Sequence, residues 1–420
     1  MDATITPESG RDRLMDAFGQ VRHQSEQLCD PLSIDDYQIQ SIVQTSPPKW
    51  HLAHTSWFFE TFVLARFEAG YQPYHSDFDF LFNSYYYTHG SMHPRARRGL
   101  LSRPTVDEVY RYREQVNARM RRVIEQVHED DWKTLALRTI LGLNHEEQHQ
   151  ELLLMDIKHN FWSNPLKPAY RDDLANASGT TPAMGWFRQS GGIHEVGHSG
   201  GGFAYDNETP RHAVLHRDFA LADRFVTNAE YQAFIDDRGY QRPELWLSDG
   251  WALLHSSDCR QPLYWQRIQG EWQQFSLSGL QPLNPHEPVC HVSYYEADAY
   301  ARWSGRRLPL ESELELVLSQ QALEGHFADR QVFHPAPAEI TGQWYGDLWA
   351  WTASPYSAYP GFKPLAGTMG EYNGKFMANQ MVLKGGCCVT PAGHTRASYR
   401  NFFYPDERWA FTGIRLVEDI

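Results

Sequence analysis

Residues 144–151 read NHEEQHQE, two histidines four apart with a carboxylate two places beyond the second. On an α-helix, side chains at that spacing share a face with Cβ atoms about 6 Å apart, so His145 and His149 can reach one metal ion. Two ligands do not hold an ion, and the rest must come from another element. The segment KWHLAHTSWFFE supplies His51 and His54 among aromatic residues. Either would complete a three-imidazole face, leaving about three octahedral positions for substrate and dioxygen. Imidazole suits iron, zinc, copper and nickel alike, so the donor set leaves the metal open. Glu151 fits a supporting part, holding a ligand imidazole by its second nitrogen. In HPRARRG, Arg95 and Arg98 are candidates for a substrate carboxylate, which guanidinium binds in two-pronged fashion.

These residues need helices to bring them together. RDRLMDAFGQVRHQSEQLC repeats Leu14, Ala17, Phe18, Val21 and Leu28 at three- and four-residue spacing, one amphipathic helix. A second is predicted from about Pro48 to Ala69, with Pro47 and Pro48 where a helix can start but not extend backwards. In a third, Thr105 and Glu108 have the spacing of a capping box. A fourth, about Asp131 to Phe161, carries His145 and His149. Four apolar stripes imply a bundle, and bundles build metal sites from inward side chains on facing helices. The connection FLFNSYYYTHGSMHPRARRGLLSRP is too long to be idle in a compact domain.

Pro, Ala, Gly and Ser then accumulate over residues 164–185, read as a linker. Beyond it, Gly-rich turns and short strand-like runs such as HAVLHRDFALA and QMVLKGGCCV alternate with helix candidates NAEYQAFIDD and YYEADAYARWSG. The reading is a two-domain chain, α plus α+β: a four-helix bundle over 1–163 and an irregular α+β domain over 186–420.

A length of 420 residues exceeds what one core usually fills. The net charge of -14, 38 Lys+Arg against 52 Asp+Glu, disfavours nucleic acid and anionic membranes and leaves small molecules as partners. With no apolar run of about 18 residues and no signal-like N-terminus, a cytoplasmic location is expected. The five cysteines are few and scattered, hence reduced. The 14 Trp, 22 Tyr and 22 Phe make aromatic-lined pockets plausible.

His145, His149 and Glu151 form an HxxxHxE motif, and with the LAH ending at His54 they resemble the iron site of the EgtB family, the sulfoxide synthases (hercynine oxygenases) of ergothioneine biosynthesis. The likeness covers nearly the whole chain. Its first part resembles that family's DinB-like four-helix bundle; RLPLESELE, GDLWAWTASPY, GGCC and FTGIRL resemble the formylglycine-generating-enzyme or C-type-lectin-like fold. The resemblance implies an Fe(II) enzyme that uses dioxygen to join a thiol sulfur to C2 of the hercynine imidazole as a sulfoxide. It selects His54 over His51 as the third ligand, leaving His51 a structural or supporting residue. It gives Gln148 and Asn401 to hercynine. Tyr85 and Tyr86 match the pair that the cysteine-using branch presents to iron, where a phenol can give a proton or an electron. Where enzymes that grip γ-glutamylcysteine carry an acidic residue, this chain has Phe402 and Phe403. Neither can pair with the γ-glutamyl amino group, which points to free cysteine. Tyr356 and Tyr359 are read as pocket wall.

Other readings account for part of this pattern. A DinB-type metal-dependent thiol transferase would leave the second domain unemployed. A formylglycine-generating copper enzyme would need a cysteine pair more widely separated than Cys387 and Cys388. A lectin-like binding module would not need the histidine triad. A selenoneine synthase, with a selenosugar donor, shares the whole architecture.

Overall fold

Capping and apolar spacing place the helices of the first half. Thr105 accepts a hydrogen bond from Glu108 N, and Glu108 accepts one from Thr105 N at 2.6 Å, so the predicted capping box opens its helix. The computed structural model describes residues 5–175, 178–338, 342–367, 370 and 373–420. It divides into two compact units, one built on Met1–Leu166 and the other on the chain from Lys167 onward, apart from two short loops.

In the first unit, α1 (Arg11–Gln27) buries Leu14, Ala17, Phe18 and Val21. α2 (Pro48–Phe59) is buried along all twelve residues, including its polar ones. A short α3 (Phe78–Phe82) lies in the long connection, and α4 (Val106–Gln126) and α5 (Glu129–Ser163) complete the bundle. α2 runs on through a π-helical turn, Glu60–Leu64. The turn accompanies an inward Glu60, which accepts from Tyr112 Oη at 2.6 Å and pairs with Arg119 at 3.2 Å. Gly142, on α5, meets α2: a Cβ there would stand 2.5 Å from Phe59 Cε1 and 3.1 Å from Phe58 Cε1. Bare backbone at this point lets α2 and α5 approach closely.

A buried charge cluster fixes the rotation of α5. Glu146 pairs with Arg22 from α1 at 2.7 Å and with Arg113 from α4 at 3.0 Å, and accepts from Ser25 Oγ at 2.7 Å. Burial alone would raise its pKa, yet the two guanidinium groups hold it below the usual carboxylate range. With Glu146 turned to α1 and α4, its neighbour His145 is turned toward α2.

The second unit is α+β with short strands. Strands Asn401–Phe403, Met381–Lys384, Trp349–Pro355 and Thr412–Gly413 form one sheet in that order, and Trp186–Gln189, Phe219–Ala222 and Val417–Asp419 form another. Helices Asn228–Asp236 and Tyr294–Trp303 form as their sequences predict. Two more, Ser248–Ser257 and Glu311–Leu318, were not singled out by pattern. Gly250 obscures the first, where a Cβ would come within 2.8 Å of Tyr295.

The stretch read as a linker, 164–185, is not a free tether. Tyr170 and Leu174 are buried, the Tyr170 and Arg171 N–H groups donate to Leu277 O, and Thr181 Oγ1 donates to His286 O at 2.6 Å. Tyr170, Leu174 and Thr181 therefore tie the stretch to the second unit; Asn176 and Ala177 lie outside the described residues. All five cysteines are buried, and no described helix is long and apolar enough to cross a membrane.

Candidate metal centre

His54 comes from α2, His145 and His149 from α5. One ring nitrogen from each lies within 4.8 Å of the others, and His54 Nε2 is 3.1 Å from His145 Nε2. Burial, reinforced for His54 and His149 by the neighbouring imidazoles, holds those two well below the ordinary histidine pKa and pushes His145 down to about 3. The three rings are neutral, as metal ligands must be.

The second nitrogens fix which atoms face inward. His54 Nδ1 lies 2.5 Å from the carbonyl of Phe82, at the end of α3, so it carries the proton and Nε2 presents its lone pair. His149 Nδ1 lies 2.8 Å from His51 Nδ1, and His51 Nε2 lies 2.9 Å from Asp156 Oδ2. With the Asp156 carboxylate accepting from His51 Nε2, His51 Nδ1 accepts from His149, which leaves His149 Nε2 bare. His54 Nε2 and His149 Nε2 thus present lone pairs beside a ring nitrogen of His145, all three within 4.8 Å of one another, a neutral imidazole donor set that fits a divalent ion. His51 thus stands behind His149, in the part read for Glu151. Glu151 follows His149 by two residues, a rotation of roughly 200° about α5, so the two side chains leave the helix on different sides.

Asp156 was not recognised in the sequence, though it had a signal. It is a carboxylate in the apolar run LLLMDIKH, seven residues after His149 and so on the same helical face. Burial pushes its pKa up, against the hydrogen bonds from His51 and from Ser46 N at 2.7 Å. Replacing Asp156 with Asn puts an amide against His51 and unsettles the tautomer of His149. Metal affinity, measured by chelator competition, is expected to fall about 10- to 100-fold.

The aromatic residues of α2 form a stack through the site. Trp50 and Trp57, four before and three after His54, lie one turn to either side of it. Trp50 stacks on His54 with centroids 4.5 Å apart, and Trp57 lies 5.6 Å away on a nearly parallel plane. Arg98 caps the far side of Trp50 at 3.4 Å. Its guanidinium is buried and donates to Ser46 Oγ and Ser84 Oγ, and among the described residues no carboxylate lies within ion-pair distance. Burial and the nearby Arg95 lower its pKa, the mark of a cation short of counter-charge. Arg95 is exposed and donates to the carbonyl of Gln44. The long connection thus supplies Phe82 O and Arg98 to the site.

Tyr86 is buried, its ring 5.7 Å from Trp57 and 4.9 Å from Tyr85. Asn83 clamps its backbone from both sides, with Oδ1 accepting from Tyr86 N and Nδ2 donating to Tyr86 O. Gln148 is half-buried on α5.

In the second unit, Asn401, Phe402 and Phe403 form one strand paired with Leu383, Val382 and Met381. Alternation puts Asn401 and Phe403 on one face and Phe402 on the other, where it stacks on Tyr356 at 4.0 Å. The two phenylalanines read together as substrate residues therefore point opposite ways, and only Phe403 shares a face with Asn401. Tyr356 and Tyr359 are buried, and their hydroxyls bond to Asn207 and Glu311.

Residues 17–160 match the DinB superfamily, and residues 176–345 and 333–420 match the sulfatase-modifying factor enzyme 1-like domain. The chain is 30% identical over 366 residues to a hercynine oxygenase of Mycolicibacterium smegmatis, covering 78% of this chain and 82% of that protein. It is 34% identical over 241 residues to a hercynine oxygenase of Mycobacterium tuberculosis, covering 51% of this chain and 56% of the other. A formylglycine-generating enzyme of Streptomyces coelicolor is 30% identical over 200 residues, covering 43% of this chain and 60% of that protein.

Proposed function

The chain belongs to the hercynine oxygenase family, and from that premise we propose that it is an Fe(II)- and dioxygen-dependent sulfoxide synthase joining the sulfur of cysteine to C2 of the hercynine imidazole. The observation that carries this reading is the convergence of His54, His145 and His149 within 4.8 Å. A ferrous ion, when bound by these neutral ligands, supplies open positions at which a thiolate and dioxygen can be brought together.

The residues of the chain do the positioning. Asp156 and His51 hold the ring of His149, and the carbonyl of Phe82 holds that of His54. Arg98, buried without a carboxylate partner among the described residues, is the anchor for the carboxylate of the sulfur donor. Trp50 keeps its guanidinium in one plane. Gln148, half-buried on α5 beside His149, is the amide that reads hercynine. Tyr86, backed by Tyr85, is the phenol that delivers a proton.

Donor choice follows from Phe403. A phenyl ring offers no partner to the charged γ-glutamyl end of a dipeptide, and burying those charges unpaired costs several kcal/mol. Free cysteine avoids that cost, so its kcat/KM is expected to exceed that of γ-glutamylcysteine. Phe403→Asp is expected to shift the ratio toward the dipeptide, slightly, since one carboxylate does not rebuild a pocket. Arg98→Gln is expected to raise the KM of the sulfur donor about 10- to 100-fold and leave that of hercynine near its starting value, the loss of one charged hydrogen-bonding partner.

The direct test is reconstitution with Fe(II) without air, then addition of air and hercynine with cysteine, γ-glutamylcysteine or a selenosugar. A product with the mass of hercynylcysteine sulfoxide supports the proposal. Product from the selenosugar alone, or turnover without dioxygen, overturns it.

A further inference from the structure

The tryptophans on either side of His54 differ in what surrounds them. Trp50 is nearer, 4.5 Å from the imidazole at an interplanar angle of 12°. Its other face carries the Arg98 guanidinium at 3.4 Å, and its indole N–H donates to the carbonyl of Leu81 at 3.2 Å. A cation over the ring draws on its π electrons and opposes the loss of one. A peptide carbonyl does not take up a proton.

Trp57 is farther from His54, at 5.6 Å and 17°. No guanidinium covers it among the described residues, and its Nε1 donates to Asp79 Oδ1 at 2.8 Å. The same oxygen lies 2.7 Å from His89 Nε2. Trp57 is buried, whereas the side chains of Asp79 and His89 are 49% and 30% exposed. A buried oxidisable ring is thus joined, through one carboxylate, to solvent.

We propose that Trp57, Asp79 and His89 form a proton-coupled electron relay that drains a one-electron oxidant from the three-histidine site when no organic substrate consumes it. The relay rests on the reading that these histidines hold a redox-active metal used with dioxygen. In the step, Trp57 gives one electron to the oxidant formed from dioxygen at the site, and the oxidant is reduced by that electron. The indole Nε1–H bond breaks, its proton goes to Asp79 Oδ1, and Asp79 releases it to water beside His89. The product is a neutral indolyl radical. An external thiol or ascorbate returns it to tryptophan by giving up a hydrogen atom; without one it adds dioxygen, and the peroxyl radical so formed takes one electron from the ferrous iron of another molecule and a proton from water to end as an oxygenated indole. His54, between the two rings, is spared.

The test uses the full chain loaded with Fe(II), its iron content measured, then exposed to air without hercynine, thiol or ascorbate. Fragment-ion mapping of the peptide containing both residues separates Trp50 from Trp57. Oxygenation at Trp57 is expected to exceed that at Trp50 by about tenfold, although Trp50 is the nearer ring, because only Trp57 has a base on its N–H. In Asp79→Asn, changed at a half-exposed position, Trp57 oxygenation is expected to fall about tenfold with iron content unchanged, since an amide does not accept the proton. With iron bound, labelling of Trp50 equal to or above that of Trp57 overturns the relay, as does an Asp79→Asn protein oxygenated at Trp57 like the parent. A parent protein that retains no iron overturns the reading of the site, and the relay with it. The comparison within the parent protein needs no variant to fold.

Discussion

Alanine in place of His145 is expected to empty the proposed iron centre and abolish the proposed sulfoxide formation while the bundle stays folded. The ring is buried and neutral, and its Nε2 lies 3.1 Å from that of His54, so its loss removes one of three donors and leaves no charge stranded. Changes behind a ligand typically cost 10- to 100-fold in metal affinity, so removal of the ligand itself should cost on the order of 10³-fold or more. The folding cost should stay near about 1 to 3 kcal/mol, that of a side chain cut back in a core. Metal analysis after desalting, beside circular dichroism, separates the two effects. The same result is expected for His54→Ala and His149→Ala. A variant that keeps near-full iron and activity would remove that histidine from the centre.

Glu146, one residue along, should behave in the opposite way. Glu146→Gln leaves Arg22 and Arg113 buried without their shared carboxylate. Breaking one side of such a cluster costs about 3 to 5 kcal/mol. For a chain of this size that corresponds to a fall in Tm of about 10 °C. Replacing Glu146, Arg22 and Arg113 together with apolar residues of similar volume should recover much of the loss, because desolvation offsets most of what the ion pairs contribute. Thermal unfolding of the single and triple variants decides the point. Equal Tm for Glu146→Gln and the parent would mean that Arg22 and Arg113 find other partners.

These two neighbours show what the sequence could and could not convey. The histidine pair was legible because spacing along one helix is a local property. The bundle, the capping box at Thr105 and the general division of the chain were legible for the same reason. The pairing of Glu146 with Arg22 and Arg113 was not, since it joins residues brought together by three helices, and in NHEEQHQE it looks like a solvated helix face. Asp156 was missed in the same way: its meaning depends on His51, which arrives from another helix. The opposed directions of Phe402 and Phe403 follow from strand alternation, and that needed the segment to be known as a strand.

Gly142 sets more than the spacing of two helices. At 1.5 Å per residue, α5 is a beam roughly 50 Å long, and the ring of Phe59 bears on it at Gly142, one turn before His145. A beam resting on a fulcrum converts displacement at its ends into rotation near the support. The charge cluster at Glu146 and the Asp156 contact act as stays that hold the beam at one angle. The ring nitrogens beside the support would then register loads applied far off, such as loss of the Trp132 Nε1 bond to Pro7 O at the beam's first turn. Gly142→Ala would raise the fulcrum by about the height of a methyl group, and the jaws of the centre would open with it.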